Sequence, residues 1–367
     1  MHFSRLAAVA AALALSAPLA TAQAKLTYSS WFPGPSSIHA GVVKPYLERV
    51  EKETGLKYEI FTDSTLAGGR DTMGGLKNGT IDMGLLATVY HPGELKTVVT
   101  IAEASLLAKN TYAAAGAFNE LMLIKCVECI EEFKRQGVRP LSFHVSPDYS
   151  LMCNKKVASA ADMKGKRVRS ASPFSAWVSS LGAVPVNLTS PETYEAMQRG
   201  QVDCVVGSGA WLNSMSLGEV VKFVNTQPIG GFAGGIHMAM SEKRWQALTP
   251  AQRKSFLMNS AQAALDLNTN FARDDQAAIK QAVASGKVQL ATASADFLAA
   301  DAKHRAADVE RVTKLAERRE VKDPAKLLGE WQTLLTKWEK IHAEVKGDEV
   351  AFRQKMNDEI FSKLSVQ

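Results

Sequence analysis

From Lys25 onward the apolar positions regroup in a strand, helix, strand order. Leu26 to Trp31 is β-prone, Val42, Val43, Tyr46, Leu47 and Val50 recur at helical spacing until Gly55, and Leu56 to Phe61 alternates as a second strand. Pro45 suits that helix only in its first turn, because an interior proline removes an amide donor. Further along, Tyr149 to Asn154, Lys166 to Ser170 and Val184 to Val186 read as short strands, with a helix at about Phe174 to Leu181. Strands alternating with helices predict a mostly parallel sheet covered on both faces.

A weak internal repeat says more about organisation. Leu76-Lys77-Asn78-Gly79-Thr80-Ile81-Asp82-Met83 is echoed by Met197-Gln198-Arg199-Gly200-Gln201-Val202-Asp203-Cys204. Each copy reads as a helix end, a glycine in the left-handed C′ position and a strand opening on aspartate, so two similar α/β domains are expected. Ser190 as N-cap, Pro191 in the first helical position and Glu192 in the first turn punctuate the second copy. After Gly235 the pattern changes. Thr249-Pro250-Ala251-Gln252 opens a capping box, and helical spacing then runs to about Ala284, too long for one small domain to cover, so this helix is expected to brace both. Three more helical stretches follow near Asp296 to Glu317, Pro324 to Val345 and Asp348 to Leu364.

The first residues set the compartment. Arg5 precedes the apolar run Leu6 to Leu19, and small residues follow through Ala24, the pattern of a cleavable signal peptide over residues 1–24 with a periplasmic destination. The run contains Pro18 and is shorter than the ~20 apolar residues a membrane span needs. Without Arg5, 42 basic residues face 37 acidic ones, a net charge of +5 that suits an anionic ligand. Basic residues are scattered and not interleaved with aromatics, which argues against nucleic acid as a partner. Cys126, Cys129, Cys153 and Cys204 would be oxidised there. Three pairings are open, with Cys153–Cys204 and Cys126–Cys129 as the working set. The helix through Cys126-Val127-Glu128-Cys129 is expected to begin before the first cysteine, which disfavours a redox motif.

Enzyme signatures are missing: there is no G-x-S-x-G elbow, no phosphate loop and no H-E-x-x-H zinc helix. His39, His91, His144, His237, His304 and His342 are scattered without metal-ligand spacing and read as ordinary core or surface histidines, so no metal or cofactor is expected. Ser208, bracketed by Gly207 and Gly209, reads as a tight turn at a pocket wall, because no base lies near it in sequence.

One stretch carries a family likeness. Ala161-Asp162-Met163-Lys164-Gly165-Lys166-Arg167-Val168-Arg169, then Leu181-Gly182-Ala183-Val184-Pro185-Val186, then Tyr194-Glu195-Ala196-Met197-Gln198-Arg199-Gly200-Gln201-Val202-Asp203 resembles the D-L-K-G-x-K-[IL]-R, L-G-A-x-P-[VT] and Y-x-A-L-Q-x-G-x-V-D-G signature of C4-dicarboxylate-type receptors of TRAP (tripartite ATP-independent periplasmic) transporters. Thr65-Leu66-Ala67-Gly68-Gly69-Arg70 looks like the Q-L-G-x-x-R turn of the same family. The resemblance implies a periplasmic-binding-protein-like α/β fold: two lobes around a ligand cleft, bridged by crossing strands and a long helix. It divides the chain into 25–148 plus 236–285 and 149–235 plus 286–367. It also implies a non-enzymatic receptor, monomeric or homodimeric, that hands a small carboxylate to TRAP membrane permease subunits for ion-gradient-driven uptake.

In that family the arginine closing the K-[IL]-R strand pairs with the ligand carboxylate, which carries over to Arg169. A guanidinium suits the role, since it presents a planar fork of donors and stays charged in a closed cleft. Strand alternation sends Arg167 to the same face, so spacing alone does not choose between them. The sequence also departs from the family. Tyr149 stands where many members carry a second arginine, and Val205-Val206-Gly207 replaces Q-E-N. Aromatic residues occupy the neighbourhood instead: Trp31, Tyr90, Phe174 and Trp211, together with Tyr149. The expected ligand is therefore a carboxylate with a less polar body, an aromatic or branched monocarboxylic acid, rather than a sugar acid or succinate. Two rival readings are a sensor-associated interaction subunit of the same fold and a periplasmic hydrolase using Ser208.

Overall fold

The computed structural model describes residues 25–365, so the signal segment lies outside the described residues. Two six-stranded sheets organise the chain. The first contains β1 (Leu26–Ser29), β2 (Tyr58–Phe61), β3 (Met83–Ala87), β4 (Val138–Pro140), β5 (His144–Asp148) and β11 (Gly231–Ser241). Its order is β2-β1-β3-β11-β4, with β5 also paired to β11. The second contains β6 (Ser150–Cys153), β7 (Arg167–Arg169), β8 (Val184–Val186), β9 (Cys204–Gly207), β10 (Phe223–Asn225) and β12 (Gln289–Ala291), in the order β12-β10-β6-β9-β7-β8. Both combine parallel pairs with antiparallel crossing strands, giving a two-lobed α/β fold.

The sequence repeat is a repeat of geometry. Gly79 and Gly200 end their helices with φ of 74° and 65°, which only glycine adopts without strain. The aspartate that follows does the same work in each copy. Asp82 accepts hydrogen bonds from the Thr27 amide (2.9 Å), and Asp203 accepts from the Arg167 amide (2.9 Å), so each carboxylate secures the start of a neighbouring parallel strand. Pro45 lies in the first turn of the helix Lys44–Thr54, as its chemistry requires.

The chain passes between the sheets twice through adjoining strands and a third time through the helix Pro250–Ala284, which leads from β11 of the first sheet to β12 of the second. Tyr149 alone separates β5 from β6, and the return runs from β10 to β11. The two passages are hydrogen-bonded at the crossing, with the Tyr149 amide donating to Gly230 O (2.9 Å) and the Ile229 amide to Tyr149 O (3.0 Å). Cys153 and Cys204, directly opposed on β6 and β9, form one disulfide, and Cys126 and Cys129 form the other. The expected helix start is corrected at the second pair. A π-helical turn over Leu121–Lys125 breaks off into extended backbone at Cys126, which becomes the N-cap of the helix Val127–Arg135 and accepts from the Cys129 amide.

The 35-residue helix Pro250–Ala284 opens with the expected Thr249/Gln252 capping box and is about 50 Å long at 1.5 Å per residue. Its first half packs against the helix Lys44–Thr54, where the Tyr46 hydroxyl donates to Phe256 O (2.8 Å). Its second half reaches the other sheet: Asp275 accepts from the Ser208 hydroxyl (2.5 Å) and the Ala210 amide (2.7 Å). The helix Ala295–Arg318 is a second brace. Its Asp301 accepts from Trp177 Nε1 (2.8 Å) on one side, while Arg311 donates to Glu103 O (3.0 Å) on the other.

The expectation that everything after residue 285 joins the second lobe is corrected beyond this helix. The helix Pro324–Glu344 lies against the helix Thr111–Glu120 of the first half: Trp331 Nε1 donates to Ala104 O (3.2 Å), and Trp338 Nε1 and Lys337 both donate to Glu120 (2.8 Å). The physical reason is that buried indoles need acceptors as well as apolar contact, and these partners belong to the first half.

Two outcomes follow from this packing. Trp338→Ala leaves a large void and removes one of the donors to Glu120, costing about 3–5 kcal/mol. Hydrogen exchange should then quicken in Thr111–Glu120 and not in β6 to β9. Burial pushes the Asp275 carboxyl up to about 6, outweighing the two hydrogen bonds that favour its ionised form. The folded protein therefore holds that proton to higher pH than the unfolded chain. Its contribution to stability is complete below about pH 4 and falls by up to ~3 kcal/mol as pH rises through about 6. Urea unfolding of the protein and of Asp275→Asn, compared from pH 4 to pH 7, should show the gap between them changing in that window.

Candidate functional site

Strand β7 carries three residues with three fates. Val168 is core, Arg167 pairs at the surface with Asp203 (3.0 Å), and Arg169, at the carboxyl end of the strand, is only 2% exposed. The carboxyl ends of parallel strands are where α/β sheets open their crevices, and Arg169 lines the cavity that lies there between the two sheets. Neighbours hold the guanidinium through three neutral acceptors: Nε donates to Leu188 O (3.0 Å), Nη1 to Val206 O (3.2 Å) and Nη2 to Ser190 Oγ (3.3 Å). It also lies 5.3 Å over the Trp211 ring. Among the described residues no carboxylate is within ion-pair distance of it. A buried cation whose partners are all neutral is electrostatically incomplete.

Ser190 was expected to cap a helix. Its hydroxyl accepts from Arg169 instead, Glu192 turns back to the Thr189 amide (2.7 Å), and the helix begins at Thr193. The demand of the buried guanidinium displaces the local capping preference. The Ser190 amide donates to the Tyr90 hydroxyl (3.2 Å), which arrives from the first sheet, so the loop that steadies Arg169 is also a contact between the two halves.

Aromatic residues make up much of the wall of this cavity. Trp31 is fixed by its indole N–H donating to Leu85 O (3.0 Å) and meets Tyr90 at 5.9 Å between centroids. Tyr149 stacks on Phe174 (5.1 Å) and Phe232 (6.2 Å) and meets the edge of Trp211 (5.6 Å). Burial raises its phenol well above the usual range, so it is neutral. Gly207 is required here, because a Cβ would run into the Trp211 ring.

Of the residues singled out by sequence, Trp31, Tyr90, Tyr149, Arg169 and Trp211 come together at the cavity. Phe174 and Ser208 do not. Phe174 supports Tyr149 from behind, and Ser208 is buried with its hydroxyl bound to Asp275, not to a histidine. Sequence reasoning missed Ser190, Phe232, Phe271, His144 and His237, all of which line the cavity. The imidazoles of His144 and His237 lie 3.9 Å apart between centroids, tilted by 32°, and burial pushes the first down to about 3 and the second well below its usual range. Gly235 opposes His144 across β5 and β11, and a Cβ there would enter the ring. The paired glycines before Ile236-His237 were the available signal. Among the described residues no group of three or more His, Cys, Asp or Glu side chains could hold a metal ion, and no helix is long and apolar enough to cross a membrane.

With this geometry in place, the chain can be set beside known proteins. A curated solute-binding protein of Albidiferax ferrireducens is 25% identical over 241 residues, 64% of this chain and 70% of that protein. A marine-metagenome TRAP solute-binding protein specific for aromatic acid ligands, solved with 3-hydroxybenzoate, superposes with a TM-score of 0.76 at 22% identity, covering 86% of this chain and 99% of its own. A TRAP solute-binding protein of Rhodoferax ferrireducens, solved with copurified benzoate, superposes with a TM-score of 0.76 at 21% identity, covering 87% and 99%. The sequence pattern of bacterial extracellular solute-binding proteins, family 7, matches residues 29–314. The chain belongs to that family, the solute receptors of TRAP transporters.

Proposed function

We propose that this receptor captures an aromatic or branched monocarboxylic acid in the periplasm and presents it, lobes closed, to TRAP membrane permease subunits for ion-gradient-driven uptake. The observation that carries this reading is Arg169: buried, held by three neutral acceptors and facing a cavity walled by rings. A carboxylate supplies the missing counter-charge through a paired contact, and the ring-lined wall accepts an apolar body by area and ring packing. Among the described residues Arg169 is the one Arg or Lys lining the cavity, so a guest with a single negative charge is matched, while a second carboxylate would be buried without a cation. Tyr149, standing where many family members carry an arginine, is the substitution behind this restriction.

Likeness in fold does not transfer a ligand. Related folds are recorded with mandelate in a Bordetella bronchiseptica protein and with galacturonate in a Sulfitobacter one. The side chains of each cavity decide, and a sugar acid needs hydrogen-bond partners that indole, phenol and phenyl faces do not provide. Closure follows from the same contacts. Arg169 belongs to the second sheet and Trp31 to the loop that follows β1 of the first, so a guest touching both favours the closed arrangement by its differential affinity for it.

Titration calorimetry with benzoate tests the reading. Arg169→Ala should weaken binding by about 2–5 kcal/mol, the scale for removing one partner of a buried charged pair. Arg167→Ala, whose guanidinium is engaged at the surface by Asp203, should leave affinity nearly unchanged. A loss below about 0.5 kcal/mol for the Arg169 variant would remove the assignment.

A further inference from the structure

We propose that His144 and His237 form a second recognition point, which hydrogen-bonds a neutral hydroxyl group carried on the body of the bound acid. The inference rests on the receptor reading above and adds to it the polar end of the guest.

The two imidazoles lie on neighbouring antiparallel strands of the first sheet, whereas Arg169 lies on the second. A row of rings separates the two points. The guanidinium lies 5.3 Å over Trp211, Trp211 meets Tyr149 at 5.6 Å, Tyr149 stacks with Phe232 at 6.2 Å, and Phe232 lies 6.3 Å from His144. Both points line one cavity, so an acid held at Arg169 whose hydroxyl reaches the first-sheet wall meets the histidines.

Both side chains are more than nine-tenths buried, at 9% and 4% exposure. Nδ1 of His144 has no hydrogen-bond partner, and among the described residues no group bonds to the His237 ring. Buried polar groups are almost always satisfied, so two cavity-lining imidazoles without a hydrogen-bond partner point to a missing one. Burial keeps both rings neutral, and each neutral imidazole offers one N–H donor and one bare nitrogen acceptor. A hydroxyl, being donor and acceptor at once, answers both. A purely apolar body leaves the nitrogens unpaired, and a second carboxylate brings a charge to a place without a cation.

The test uses the intact mature protein and calorimetry with benzoate, 3-hydroxybenzoate, 4-hydroxybenzoate and isophthalate. At least one hydroxybenzoate should bind about tenfold more tightly than benzoate, and isophthalate at least about tenfold more weakly. His237→Phe should abolish the preference for the hydroxyl, read as the ratio of hydroxybenzoate to benzoate affinity within the variant, and His144→Asn serves as the independent variant. In the unaltered protein, imidazole nitrogen-15 resonances should move on adding the preferred hydroxybenzoate and not on adding benzoate. Equal affinity for benzoate and both hydroxybenzoates, a hydroxyl preference that survives in both variants, or imidazole resonances unmoved by a tightly bound hydroxybenzoate would each overturn the inference and leave the receptor reading standing. Failure of every acid to bind would overturn both.

Discussion

A guanidinium withdrawn from water, with no carboxylate at ion-pair distance among the described residues, is the constraint around which this protein is built. Desolvating a cation costs several kcal/mol, and three neutral acceptors recover only part of that. The remainder is available to any anion that enters. Leu188, Ser190 and Val206 fix the direction of the fork before a ligand arrives, so little side-chain freedom is lost on binding. The same loop touches Tyr90 of the first sheet, which ties the state of the arginine to the closure of the cleft.

The remaining architecture serves to hold two sheets so that a gap between them can close. Two strand passages joined at Tyr149 and Ile229, and two helices that touch both halves, keep the cavity walls in register. Tyr149 contributes twice. Its backbone joins the crossing strands, and its ring, clamped between Phe174 and Phe232, forms part of the wall.

Much of this could be read in the residues themselves, and what could not was lost for physical reasons. Local rules located the glycine junctions at Gly79 and Gly200, the capped long helix and the strand within Lys166 to Ser170, because each depends on neighbours within a few positions. Ser190 obeyed the capping pattern but was claimed by a guanidinium 21 positions away. His144 and His237 meet only because β5 and β11 pair across the crossing, with register shifts that no periodicity announces. The amphipathic stripe of Pro324–Glu344 shows that one face is buried and says nothing about which half covers it. At Cys126 a π-helical turn cut short a helix that spacing alone would continue.

The central claim is electrostatic, and a ligand of unchanged shape interrogates it most directly. Benzoate and benzamide have nearly the same size and differ in the charge that Arg169 lacks. Calorimetry on the two should give at least about a 30-fold weaker affinity for benzamide, some 2 kcal/mol or more. Equal affinity for both would show that the arginine does not await an anion, and the account of recognition would fail.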